Sequence, residues 1–258
     1  MKITYEDLLS GDPVFVEGIG RFRSPLLKEL KPAAGIGINT YNLYLSILSW
    51  EKDDFLRHIP ESQAALLGKN DKLSVFDMMT ALKPEFREIL HQALSFFMTD
   101  RVEWDGGNNR FLTYGGDAET GGIDRENFDD ARDAILQLNY IVGGRAAEPK
   151  HSSEKARKYW ELAQQKKKEA GRASGENKYL RIGNIISKLC AAPGGYTFHN
   201  IYELTVYQLY DAFAQCGFLR AMNFNENIVA THGTGKDNKF NLQEWMKPII
   251  ELQIDIRR

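Results

Sequence analysis

The chain has 258 residues, 43% hydrophobic and 26% charged, enough for one large domain or two ordinary ones, each with its own core. Its 33 Lys and Arg against 35 Asp and Glu leave a net charge of -2, which argues against a general polyanion binder. No apolar run reaches the roughly 18–20 residues that span a bilayer, and the opening MKITYEDLLSGD lacks a signal-peptide pattern, so a soluble protein made in a cytoplasm is expected.

In chain order, Val14–Glu17 and Arg21–Arg23 are short extended runs separated by Gly18 and Gly20, which predicts a small hairpin. Ser24 and Pro25 supply an N-cap and a first-turn proline for a short helix over Leu26–Lys31, ahead of Pro32. After the AAGIGIN loop, Tyr41, Tyr44, Leu45, Leu48, Phe55 and Ile59 recur at helical spacing, with Trp50 near a break between two pieces. The polar turn GKND precedes a short helix, Val75–Leu82, and Lys83-Pro84-Glu85 restarts the chain into another, with Phe86, Ile89, Leu90, Ala93 and Phe97 on one face.

The segment VEWDGGNNRFLTY predicts a second hairpin across Gly106–Asn109. The polar stretch GGDAETGG follows. Asp124 then opens a helix with Phe128, Ala131, Ile135, Leu138 and Val142 at steps of three or four, its acidic first turn suited to a helix N-terminus. From Gly143 the composition changes. Lys150–Arg181 holds ten Lys or Arg against four Glu, a local +6 that leaves -8 for the rest of the chain. This stretch reads as solvated helix and linker.

Leu180–Ala192 predicts a helix ended by Pro193-Gly194-Gly195, and His199–Cys216 another, closed near Gly217. On the second, Tyr202, Val206, Leu209, Tyr210 and Phe213 share one side, with Gln208, Asp211 and Gln215 opposite. Tyr207 and Leu204 lie outside the stripe, giving more apolar surface than one neighbour requires. The tail FNLQEWMKPIIELQI surrounds Trp245. The expected architecture is mainly α within an α+β class. It comprises a helical domain with two hairpins at 1–145, a basic helical linker at 146–178 and a helical C-terminal domain at 179–258. No 20–50-residue repeat indicates a solenoid.

Chemistry-bearing motifs are weak. Gly233-Thr234-Gly235-Lys236 resembles the end of a phosphate loop, but Ala230 and Asp237 stand where a glycine and a hydroxyl residue are needed. The GIG triplets at Gly18 and Gly35 lack a dinucleotide fingerprint. The histidines at 58, 91, 151, 199 and 232 have no metal-ligand spacing. Asp124, Glu126, Asp129, Asp130 and Asp133 lack a calcium-loop pattern and suit helix-terminal charge placement. Cys190 and Cys216 are expected as small core residues of a reducing compartment. No catalytic, cofactor-binding or metal-ligating set is assigned, and no enzyme is expected. Lys166-Lys167-Lys168 beside Tyr159 and Trp160 is compatible with nucleic acid, but the lysines point different ways around a helix and local charge is the only support.

The segments GIGRFRSPLLKEL, YNLYLSIL, IDRENFDDARDAILQLN, the lysine-rich linker, NIYELTVYQLYDAF and NLQEWMKPI occur in this order. Together they resemble tail proteins of bacteriophages infecting Gram-positive bacteria, described as tail assembly chaperones or chaperone-like tail proteins. The resemblance implies a non-enzymatic helper in the host cytoplasm, without cofactor, that binds the tape-measure protein and recruits tail-tube subunits. Its contacts would fall on Tyr202, Glu203, Leu204, Tyr207, Tyr210 and Trp245. The same residues would otherwise pack a C-terminal core. A structural tail component, self-association, and a nucleic-acid-binding phage protein using 150–181 remain open alternatives.

Overall fold

The computed structural model describes residues 3–33, 35–68, 73–81, 84–141, 181–193 and 195–232. The fold is α+β and mainly helical, with two small antiparallel sheets among the described residues. It divides into two units, Met1–Val142 with His199–Gln208, and Gly143–Phe198 with Leu209–Arg258.

In the first unit, α1 (Tyr5–Ser10) is capped by Thr4, whose hydroxyl accepts from the Asp7 amide, and is closed by Gly11 at φ 75°. The predicted first hairpin is present as β1 (Val14–Val16) and β2 (Gly20–Phe22). The short helix expected after Ser24-Pro25 is a single 3-10 turn, Leu27–Leu30, preceded by extended Leu26. Ser24 does not cap it. The Leu26 amide is instead satisfied by Glu29 Oε2 at 2.8 Å.

Helices α2 (Ile38–Leu48) and α3 (Lys52–Leu56) carry the predicted break between them. Tyr41, Tyr44, Leu48, Phe55 and Ile59 are all buried. At the break, the Trp50 ring meets Phe55 and Phe86, with centroids 6.4 and 5.6 Å away. The next helix, α4 (Glu61–Gly68), falls in a stretch the sequence pattern did not mark. Helices α5 (Val75–Ala81) and α6 (Pro84–Phe97) follow, and α6 buries Leu90, Ala93, Leu94 and Phe97.

The second sheet is one strand larger than the predicted hairpin. Strands β3 (Arg101–Asp105) and β4 (Arg110–Gly115) pair across the Gly/Asn turn, where Asn109 adopts φ 49°. In that turn, the Asp105 carboxyl is held below its ordinary value, chiefly by the hydrogen bond from the Asn108 side chain, against desolvation, with the Asn108 and Gly107 amides and Arg110 adding to the lowering. The polar GGDAETGG, to which the sequence pattern assigned no element, supplies most of β5 (Ala118–Ile123), paired to β4 with a shift between Thr113 and Tyr114. Its glycines answer a close approach. The Gly122 amide donates to the Gly18 carbonyl at 3.0 Å, and a methyl group built at Gly121 would overlap that same carbonyl. A segment selected for absent side chains has the composition of a turn while forming a strand.

The two sheets are joined by a polar seam. Asp100, buried, accepts from the Arg21 amide at 3.0 Å, from the Arg21 guanidinium at 3.3 Å and from the Thr120 hydroxyl at 3.1 Å. Thr113 donates its hydroxyl to the Ile19 carbonyl. Such buried groups are tolerated because each has partners.

Over the inner face of β3–β4, Phe111 is surrounded by Trp104, Phe76 and His91, with centroids at 4.8, 6.2 and 5.9 Å. Phe76 and Phe111 are fully buried, which contributes about 1.5–3 kcal/mol each relative to exposure. Helix α7 spans Phe128–Leu138, four residues later than the expected start. Asp124 stands before it in a turn, its Oδ1 accepting the Glu126 and Asn127 amides at 2.8 and 3.3 Å. Arg132 is buried on this helix, donating to the Trp50 carbonyl at 2.9 Å and pairing with Asp129 at 3.0 Å. Its end is set by Tyr140 at φ 61°.

In the second unit, α8 (Ile182–Ala191) matches the predicted helix and buries Ile185, Ile186 and Leu189. Cys190, next in sequence, falls off that stripe and is half-buried, as is Cys216, rather than in the core as expected. The helix α9 (Val206–His232), whose first three residues belong to the first unit and the rest to the second, begins later and ends later than predicted. Gly217 lies inside it, since a mid-helix glycine costs only about 1 kcal/mol and does not by itself terminate a helix. The basic linker and the tail after His232 lie outside the described residues.

Candidate interaction site at residues 199–208

Residues 199–208, which hold four of the six predicted contact residues, belong with the N-terminal unit. Ile201–Glu203 form one 3-10 turn, and Leu204 is extended. A helical wheel that places Tyr202 with Val206 therefore does not apply across this stretch. The extension has a physical cause. Leu26 and Thr205 form an antiparallel bridge, and the Leu27 amide donates to the Leu204 carbonyl at 2.9 Å.

Thr205 then starts α9. The Gln208 amide donates to Thr205 Oγ1 at 3.2 Å and the Thr205 amide to Gln208 Oε1 at 2.9 Å, a reciprocal capping box written in the sequence as Thr-x-x-Gln. The remaining amides of the first turn find partners far along the chain. Val206 donates to the Pro25 carbonyl at 2.9 Å and Tyr207 to Ser24 Oγ at 3.2 Å. Ser24 is thus a cap, as its residue type predicted, but for a helix about 180 positions later. The Gln208 side chain also donates to the Leu9 carbonyl at 2.8 Å.

The predicted contact residues separate on this frame. Tyr207 is 1% exposed, its ring 5.2 Å from that of Tyr140, so it offers no surface in this state. Leu204 is half-buried, and its carbonyl is used by Leu27. Tyr202 is half-buried with the Lys31 ammonium 3.6 Å from its ring centroid. Glu203 is exposed and paired with Lys28 at 2.6 Å, an arrangement worth about 0–1 kcal/mol in solvent. Tyr210, in the second unit, is half-buried. Trp245 lies outside the described residues. Sequence reasoning missed Ser24, Pro25 and Leu26 as the partners of this segment. Of them, only the capping preference of Ser24 was visible.

No group of His, Cys, Asp or Glu among the described residues is arranged to hold a metal ion. Two of the described histidines, one in the turn after α3 and one on α6, are engaged otherwise. His58 stacks on Trp50 at 4.3 Å, and His91 Nε2 lies 2.9 Å from the Val102 carbonyl. The Gly233–Lys236 motif lies outside the described residues. Among the described residues no helix is long and apolar enough to cross a membrane.

Residues 166–250 match a family described as YomV second domain. The match connects the C-terminal part of the chain with a phage-type protein family. It covers the end of the basic stretch, α8, the 199–208 segment and α9. No curated protein and no solved structure matches the chain.

Proposed function

We propose that this protein is a non-enzymatic phage tail morphogenesis factor, similar to tail assembly chaperones, acting by contact with tape-measure and tail-tube proteins. One observation carries the reading. The segments NIYELTVYQLYDAF and NLQEWMKPI, which bear much of the tail-protein resemblance, both fall inside the 166–250 match to the YomV second domain. The contact surface on this reading is the outward part of the 199–208 segment, Tyr202 and Glu203 with Lys28 and Lys31 beside them. Tyr207 serves the fold instead.

Co-expression with the tape-measure and tail-tube proteins of the same phage, followed by pull-down, tests the reading. Association is expected, and Tyr202→Ala with Glu203→Lys should weaken it by about tenfold, the scale of a moderate interface residue. Absence of association with any tail protein would overturn the proposal. Retention in finished particles would make it a structural tail component.

The +6 charge of Lys150–Arg181 favours a second reading, nucleic-acid binding through that segment. Phosphate contacts release counterions, so such binding must weaken steeply with salt. A DNA titration between 50 and 200 mM salt without that slope removes this reading.

A further inference from the structure

The chain leaves the N-terminal unit twice, after Val142 and after Gln208. Tyr140 and Tyr207 stand within two residues of these exits, and their rings meet, with centroids 5.2 Å apart and planes 60° from parallel. At the first exit, the Tyr140 amide donates to the Gln137 carbonyl at 3.1 Å and the Ile141 amide to the Leu136 carbonyl at 2.9 Å. This pair of bonds is the Schellman turn, which closes a helix through one left-handed residue. That residue is usually glycine, because a Cβ is strained at positive φ. Here it is Tyr140, at φ 61°. A strained residue persists where its surroundings hold it, and the Tyr140 ring lies against the buried ring of Tyr207. At the second exit, Tyr207 is held by the bond from its amide to Ser24 Oγ, and the residues before it by the bonds of Val206 to Pro25 and of Leu27 to Leu204.

We propose that the two tyrosines form a clasp, through which docking of the 199–208 segment and the left-handed turn after α7 are made and lost as one event. Undocking the segment withdraws Tyr207 and leaves the strained turn without the ring that holds it. Relaxing the turn withdraws Tyr140 and loosens the start of α9. Coupling of this kind needs a single element with two arrangements that both sides bias, and the ring pair supplies it. A partner that engages the chain beyond either exit therefore acts on both exits. Release also brings Tyr207, buried in the docked state, to solvent. None of this depends on the tail-protein reading, since both rings belong to the N-terminal unit.

Native-state hydrogen exchange on the full chain tests the clasp. The amides of Leu27, Val206 and Tyr207 report the docked segment, and that of Ile141 reports the turn. In the parent protein these four should have protection within about tenfold of one another, and at least about tenfold below that of buried Leu90 and Leu94 in α6, because a local opening costs less than unfolding of the unit. A wider spread among the four, or a smaller gap to α6, overturns the proposal. Tyr140→Gly then separates a clasp from a simple helix cap, since glycine suits the left-handed turn but carries no ring. Leu27 and Val206 should lose about threefold or more in protection while Ile141 keeps its own. If Tyr140 only closes α7, relief of strain leaves Leu27 and Val206 as protected as before or more so, and a loss below about threefold overturns the proposal. Should the variant fail to fold, the comparison within the parent protein decides alone.

Discussion

The two ends of α9 meet opposite conditions. At its start, the amides of Val206, Tyr207 and Gln208 are taken by Pro25, Ser24 and Thr205, and the side chains of Val206 and Tyr207 are fully buried. Beyond Gly217, Leu219 and Phe224 are 43% and 66% exposed. Helical propensity does not separate them, since both ends are rich in residues that tolerate a helix. The lesson is that the first end is fixed by groups distant in sequence. The second depends on whatever covers it.

That contrast predicts unequal sensitivity to substitution. The largest effect should come from the tightly fitted unit. Gly121→Ala places a methyl group against the Gly18 carbonyl and should destabilise by about 3 kcal/mol or more, in the range of strained or overpacked buried sites. Chemical denaturation measures it, and a loss below about 1 kcal/mol would mean the hairpin separates from β5 without cost. Next is Thr205→Ala. Removing the cap hydroxyl should cost about 1 kcal/mol, whereas Thr231→Ala at the other end of the same helix should fall within about 0.5 kcal/mol. Equal losses at the two positions would erase the contrast.

Gly217→Ala should act in the other direction. No atom lies within 4 Å of an added Cβ there, so the variant should gain up to about 1 kcal/mol from helix propensity. A loss instead would reveal a close neighbour on the distal half. The smallest effect concerns pH. Because the folded-state pKa of Asp105 is depressed, its contribution to stability is present above the unfolded value and is lost as pH falls through the folded one. Asp105→Asn should therefore flatten the acid limb of a stability profile below about pH 4, the ordinary Asp range, while leaving the profile near neutrality parallel to the parent.

Periodicity made α2, α5, α6 and the core of α7 legible, because each buries a stripe set by its own local spacing. Both predicted hairpins were legible for a similar reason, with glycine and asparagine placed where the turns require them. The elements that were misread are governed by distant neighbours. Gly121 and Gly122 look like punctuation, but β5 needs them to approach the Gly18 turn. Ser24 looks like a cap for the adjacent residues, yet its hydroxyl receives the amide of Tyr207. Tyr202 appears to continue the stripe of Val206, but pairing with Leu26 and Leu27 holds the intervening backbone extended. Thr205 is the exception, since its Thr-x-x-Gln pattern marks the true start of α9. Among the proposed contacts, burial of Tyr207 was invisible because Tyr140 reaches it only through the left-handed turn that closes α7.

The membership of residues 199–208 in the N-terminal unit has a consequence for biosynthesis. At elongation rates of about 5–20 residues per second, the 66 residues between Val142 and Gln208 take about 3–13 s to emerge. Throughout that interval the Leu26 edge and the Pro25 carbonyl have no Leu204–Val206 segment to receive. The N-terminal unit thus becomes complete only after much of the basic segment has left the ribosome, and its final closure is a timed event in translation.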